Sequence, residues 1–237
     1  VRVQHISNAG IYATNPGIDL LAGGVRFPVL MGQPLASLAT ASHPENRLRL
    51  DEGQKIMPRH FDDAPGLCER PDAETDQYRL NHTMIRIKDP ERSLDFYTRG
   101  LGMRLIRRLD FEDMQFSLYF LGYLNEEDVA RVPDDDAKRT TFNFGREALL
   151  ELTHNWGDEE KTGLQFHSGN EEPKGYGHIG ITVPDAYSAA QRLEKLGVEF
   201  VKRPDDGNMK GLAFAKDPDG YWIEILQADT LERLGRA

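Results

Sequence analysis

The chain has 237 residues, enough for one large domain or two small ones with a sizeable core, and a formal charge of −10 spread through interspersed acidic and basic residues. No basic stripe marks a nucleic-acid surface and no apolar run nears the ~20 residues of a membrane span, so the expected partner is a small molecule, with no nucleic acid and no membrane. The only cysteine, Cys68, excludes an intramolecular disulfide and any structural zinc site needing two cysteines, and it suits a reducing compartment such as the cytoplasm.

The first 56 residues carry nine charged side chains against 59 in the following 181, and they hold six Gly and four Pro. Arg26 interrupts the most apolar stretch, 18–31, which argues against a signal-peptide core, while the composition leaves organelle targeting open. Residues 1–57 read as a poorly ordered extension without function. Residues 58–77, polar and punctuated by Pro, read as an arm leading into the first strand.

From there one unit is written twice. The first copy opens with a strand from His82 to Lys88, then Asp89 as a helix cap and Pro90 in the first turn. Leu94, Tyr97 and Leu101 follow at helical spacing, and Gly100 and Gly102 suit the helix end. Met103 to Ile106, Phe116 to Leu121 and Ala148 to Thr153 read as strands. Between the last two, residues 125–147 form an insertion whose acidic run, Asp134 to Asp136, reads as a solvated loop.

The second copy has a strand from His178 to Val183, then a helix carrying Ala186, Ala189, Ala190, Leu193 and Leu196 on one stripe, closed by Gly197. Val198 to Lys202, Gly211 to Lys216 and Tyr221 to Leu226 read as strands, with Asp217-Pro-Asp-Gly220 as the turn between the last two. The predicted class is α+β, two βαβββ modules at about 78–157 and 174–228 within a domain of 78–228, followed by a tail of 229–237.

Each module begins a strand with a histidine and later sets a glutamate among apolar residues: His82 with Glu151, and His178 with Glu224. A carboxylate in a buried strand is costly unless it is paired or bound to a metal. Two His and two Glu delivered by two similar halves read as one shared metal site. Strand parity sharpens it: His82, Met84, Arg86 and Lys88 share one face of their strand, as do Leu149, Glu151, Thr153 and Asn155 of theirs. One cavity would then present His82, Arg86, Glu151 and Asn155 together. Parity puts His154 on the opposite face, and His167, Trp156 and Trp222 read as structural.

Beyond these residues the sequence resembles the glyoxalase I (lactoylglutathione lyase) family of the vicinal-oxygen-chelate superfamily, over about residues 76–228. The segments that carry the resemblance are 89–97, 116–120, 150–157, 177–180, 204–207 and 217–224. The resemblance implies a metal site of His82, Glu151, His178 and Glu224, with Glu224 as the base and Glu151 as its catalytic partner on the opposite face. It implies that Arg86, Asn155, Lys174 and Lys202 hold the glutathione portion, that His178 also lies against the substrate, and that Phe111, Leu118 and Met209 form the apolar pocket beside the sulfur. Asn208 stands where some members have Lys.

The activity implied is isomerisation of the hemithioacetal of methylglyoxal and glutathione to S-lactoylglutathione. One divalent metal per site is implied, with Zn²⁺ favoured over Ni²⁺ or Co²⁺, because the insertion at 125–147 resembles the zinc type. Glutathione would be the cosubstrate and the chain a homodimer with its sites between subunits. Two alternatives share the fold: a ring-cleaving dioxygenase using two His and one carboxylate on iron, and a metal-free small-molecule-binding protein.

Overall fold

The computed structural model describes residue 62, residues 64–68 and residues 70–236. The extension read at 1–57 and residues 58–61 of the arm lie outside the described residues.

The first strand, β1 (His82–Ile87), alternates as its sequence does, with Ile85 and Ile87 buried and Met84 and Arg86 exposed. Asp89 caps the helix that follows, its carboxylate accepting from the backbone N–H of Glu91 at 2.9 Å and of Arg92 at 3.2 Å. The helix, α1 (Pro90–Asp95), does not continue regularly through Leu101 as its spacing suggested. It widens into a π turn over Phe96–Gly100 that buries Phe96 and Tyr97 side by side, their rings edge to face at 5.0 Å. Gly102, at φ +79°, then turns the chain into β2.

β2 (Arg104–Phe111) is longer than the sequence suggested and forms a hairpin with β3 (Phe116–Gly122), with Gln115 in the left-handed region at φ +55°. β4 (Leu149–Asn155) completes a sheet of order β1-β4-β3-β2, parallel only between β1 and β4. The second module repeats this plan with β5 (His178–Thr182), a helix of residues Ala186–Lys195, β6 (Phe200–Lys202), β7 (Leu212–Lys216) and β8 (Trp222–Leu226), in the order β5-β8-β7-β6. The parallel pair is again first with last. Both βαβββ units are as predicted.

The insertion corrects the sequence reading. Instead of a solvated loop it forms two short helices, α2 (Glu126–Ala130) and α3 (Asp136–Phe144), so the helix of the second module is α4. The acidic run is a helix start: Asp135 accepts from the backbone N–H of Lys138 at 2.9 Å, and Asp136 meets Arg107 at 2.9 Å. Carboxylates there satisfy the unpaired N–H groups of the first turn. Arg146 ties the end of the insertion back to Asp128 by two bonds of 3.1 Å.

From Pro65 on, the chain forms one unit around a common core. Ile85, Ile87, Tyr119, Leu121, Leu150 and Leu152 of one sheet join Ile181, Ala213, Ile223 and Ile225 of the other, together with Tyr97 and Leu193 from the helical segments. Polar bonds pin the modules together. Tyr97 donates its O–H to the buried Asp217 at 2.8 Å, and Asp219 accepts from the Lys88 N–H at 3.2 Å and the Ser93 hydroxyl at 3.3 Å. Each sheet thus spends one face on the shared core and turns the other away from it, and the opposite faces carry the histidines.

Candidate metal centre

On the outward face of the first sheet, His82 Nε2 lies 3.1 Å from Glu151 Oε2. On that of the second, His178 Nε2 lies 3.3 Å from Glu224 Oε2. The same register produces both pairs. In β1/β4, His82 stands opposite Leu149 and Met84 opposite Glu151; in β5/β8, His178 stands opposite Trp222 and Gly180 opposite Glu224. Each histidine therefore reaches diagonally to a glutamate on its own face. At Gly180 an added Cβ would lie in ordinary contact with Glu224 Oε2, at 3.5 Å.

The surroundings are apolar below and open above. His82 packs edge-on against Phe120 at 5.5 Å and Phe144 at 6.4 Å, and His178 against Phe214 at 5.3 Å. The side chain of Glu151 is 11% exposed and that of Glu224 19%. Thr153 donates its hydroxyl to Glu151 Oε1 at 3.0 Å, which orients that carboxylate. Asn81 meets the other ring nitrogen of His82, Nδ1, at 2.7 Å.

The register also places the remaining residues of the outward face. One row runs Met84, Glu151, Phe120, Arg107; the next runs Arg86, Thr153, Leu118, Leu109; a third holds Asn155, Phe116 and Phe111. His82, Arg86, Glu151 and Asn155 are thus on one surface, with Phe111 and Leu118 beside them. Phe111 stacks on Phe116 at 4.6 Å, and Asn155 donates to Asp158 at 3.2 Å. His154 lies on the core side, 5% exposed and 2.7 Å from Glu159. Trp156 donates its ring N–H to Ser117 at 2.8 Å.

Three placements bear on the sequence reading. First, the four ligands do not converge within one chain: among the described residues no group of three or more His, Cys, Asp or Glu comes together. The two pairs sit on separate sheets, each a half-site of one imidazole and one carboxylate. Second, Lys202 does not offer its ammonium outward. It donates to the carbonyls of Arg203 at 3.1 Å, Met209 at 2.7 Å and Leu212 at 2.8 Å, closing the loop that carries the exposed Met209. Burial holds its pKa below the ordinary lysine value. Third, Lys174 lies on the connection between the modules, exposed, with its ammonium 3.9 Å from Glu172.

Sequence reasoning missed Arg107, which stands on the row of Glu151 and is held by Thr140 at 3.0 Å and Asp136. Its parity is hidden by an irregularity of register between Leu105 and Arg107. It also missed Asn81, which lies just outside the strand.

The donor set fits a divalent metal. Each half-site aims an imidazole nitrogen and a carboxylate oxygen at one point, and two His with two Glu would give a borderline cation a mixed nitrogen and oxygen shell.

A family model, the Glyoxalase/Bleomycin resistance protein/Dioxygenase superfamily, matches residues 79–225. The chain belongs to this superfamily. Within the superfamily, a lactoylglutathione lyase of Pseudomonas aeruginosa is 56% identical over 172 residues, covering 73% of this chain and 95% of its own. A lactoylglutathione lyase of Pseudomonas putida is 48% identical over 167 residues, covering 70% and 95%. Among solved structures, glyoxalase I of Leishmania major aligns with 68% of this chain and 99% of its own at 31% identity, with a TM-score of 0.47. A second family model, lipid A 3-O-deacylase (PagL), matches residues 1–28, which lie outside the described residues. No helix among the described residues is long and apolar enough to cross a membrane.

Proposed function

We propose that the chain is a lactoylglutathione lyase, a metal-dependent isomerase of the hemithioacetal of methylglyoxal and glutathione that yields S-lactoylglutathione and so detoxifies methylglyoxal. The observation that carries this reading is the doubled His–Glu pair, at 3.1 and 3.3 Å, in a chain 56% identical to a protein of that name. Metal ligands of this kind have no use in a metal-free binding protein. The second carboxylate goes beyond the two-His, one-carboxylate set of a dioxygenase.

The reaction moves one proton between adjacent carbons, and the hydroxyl proton of the carbon bearing sulfur passes to the oxygen of its neighbour. Glu224 takes it from the carbon bearing sulfur, leaving an enediolate, and returns it to the neighbouring carbon; Glu151 serves the opposite face. When bound, a divalent metal supplies Lewis acidity toward the oxygens as negative charge develops on them. Phe120 and Phe214 pack edge-on under the two histidines. Arg86 and Asn155, on the face of Glu151, hold the glutathione portion beside Phe111 and Leu118, with Lys174 adding positive charge against a chain of net −10. Lys202 acts on this substrate through its loop, by keeping Met209 in place.

Two separated half-sites in one chain call for two copies. A homodimer in which His82 and Glu151 of one copy face His178 and Glu224 of the other completes two identical sites. The described part of the arm supports this arrangement. Tyr78 and Leu80, beside it, are 77% and 75% exposed, and Leu67 within it is 55% exposed, so a neighbour has apolar surface to cover. The single cysteine, Cys68, supports a cytoplasmic setting, and the helical insertion supports zinc. Chelator-stripped protein reloaded separately with Zn²⁺ and Ni²⁺ should recover hemithioacetal isomerisation, Zn²⁺ the better. Metal binding with no activity restored by either Zn²⁺ or Ni²⁺ would rule the reading out.

A further inference from the structure

The side chain of Asn81 lies between the start of β1 and the end of α3. Its Nδ2 donates to the carbonyl of Asn143 at 3.2 Å and to that of Arg146 at 2.8 Å. A carbonyl only accepts, so these two bonds settle which end of the amide is nitrogen. The oxygen is then the end that faces His82, with Oδ1 2.7 Å from Nδ1. An amide oxygen also only accepts, so the ring carries its hydrogen on Nδ1. In the neutral imidazole this leaves the lone pair on Nε2, the nitrogen 3.1 Å from Glu151 Oε2. Two electron-pair donors at that distance repel each other unless a cation lies between them.

We infer that Asn81 is a positioning residue for the metal centre: it fixes the tautomer and ring plane of His82 so that Nε2 is presented to the metal, and it takes its own orientation from the carbonyls of Asn143, near the end of α3, and of Arg146, just beyond it. The insertion thereby acts on the site without touching substrate. The two carbonyls stand 62 and 65 residues from Asn81 in the chain, and the two bonds from Arg146 to Asp128 hold α3 against α2. Phe144, one residue beyond the first carbonyl, packs on the same imidazole. The second module has no such device, because the residue before His178 is Gly177. The two halves of the site are therefore held differently, and only the first depends on the insertion. Outer partners of this kind typically change metal affinity by about 10–100-fold.

The inference rests on the metal reading above, and its test separates the two. Full-length protein labelled with ¹⁵N-histidine, stripped of metal and held well above the imidazole titration range, reports the tautomer of His82 by NMR, the signal being assigned with His82→Gln. Zn²⁺ affinity is measured against a chromophoric chelator for wild type, Asn81→Leu and Asn81→Asp. The expected results are an Nδ1–H tautomer, binding about 10–100-fold weaker in Asn81→Leu, and a smaller loss in Asn81→Asp. The aspartate still accepts from Nδ1 but loses both bonds to the insertion. Wild-type affinity in Asn81→Leu, an Nε2–H tautomer in the wild type, or an equal loss in both variants would overturn the role while leaving the metal reading intact. Failure of the wild type itself to bind Zn²⁺ would overturn both. If Asn81→Leu does not fold, the wild-type tautomer and the Asn81→Asp affinity decide.

Discussion

Glu151 and Glu224 are the two carboxylates of the proposed site, and register makes them equivalent: each lies opposite the residue two positions after its histidine. Their environments differ. Thr153 donates to Glu151, whose side chain is 11% exposed, against 19% for Glu224. That asymmetry favours Glu224 as the carboxylate free to move a proton. Glu224→Gln should keep its melting temperature and lose about 10²–10⁴-fold in kcat, the range for a positioned base; turnover near wild type would remove Glu224 from the mechanism. Lys202 anchors its own loop. Its three bonds go to backbone carbonyls, so Lys202→Ala should lower stability by about 1 kcal/mol, the net worth of a typical hydrogen bond on a partly exposed group. It should also raise KM through the Met209 loop. Unchanged thermal melting together with a fall in kcat alone would contradict the clamp.

At the scale of elements, the turn between β7 and β8 joins the modules through Asp217. Burial raises its pKa to about 6 from an ordinary 3.8, against the bonds it accepts from Tyr97 and the backbone. The folded state therefore holds this proton more tightly than the unfolded chain does. The stability it contributes is fully present below about 4 and is lost as pH rises through about 6. The melting temperature of Asp217→Asn should lack that falling component between these limits, so the difference between wild type and variant should change with pH there and be flat above. A difference independent of pH would refute the titration. Much of this level was legible in the sequence: both modules followed from alternating strands, capped helices and the Asp217-Pro-Asp-Gly220 turn, and parity alone placed His82, Arg86, Glu151 and Asn155 on one face. The helices of the insertion were not legible, because three consecutive aspartates look solvated until one of them is seen capping a helix. Nor was the Asn81 bridge, which joins a side chain to backbone 62 and 65 residues away and leaves no period in the sequence.

For the whole molecule, the decisive fact is that one chain holds two half-sites and not one site. The family resemblance implied sites between two copies, and within one chain the two halves share a core through one face of each sheet and turn their histidines outward. In the proposed homodimer the first half of each chain faces the second half of the other. The measurement that tests this most directly is complementation. Glu151→Gln and Glu224→Gln, each inactive alone as a homodimer, would be co-expressed so that mixed dimers form. In a mixed dimer with sites shared between copies, one site collects both altered carboxylates and the other collects neither. With half of the dimers mixed and one of their two sites intact, activity should return to about one quarter of wild type. No recovery in a preparation shown to contain mixed dimers would mean that each chain builds its site alone, and would contradict the account.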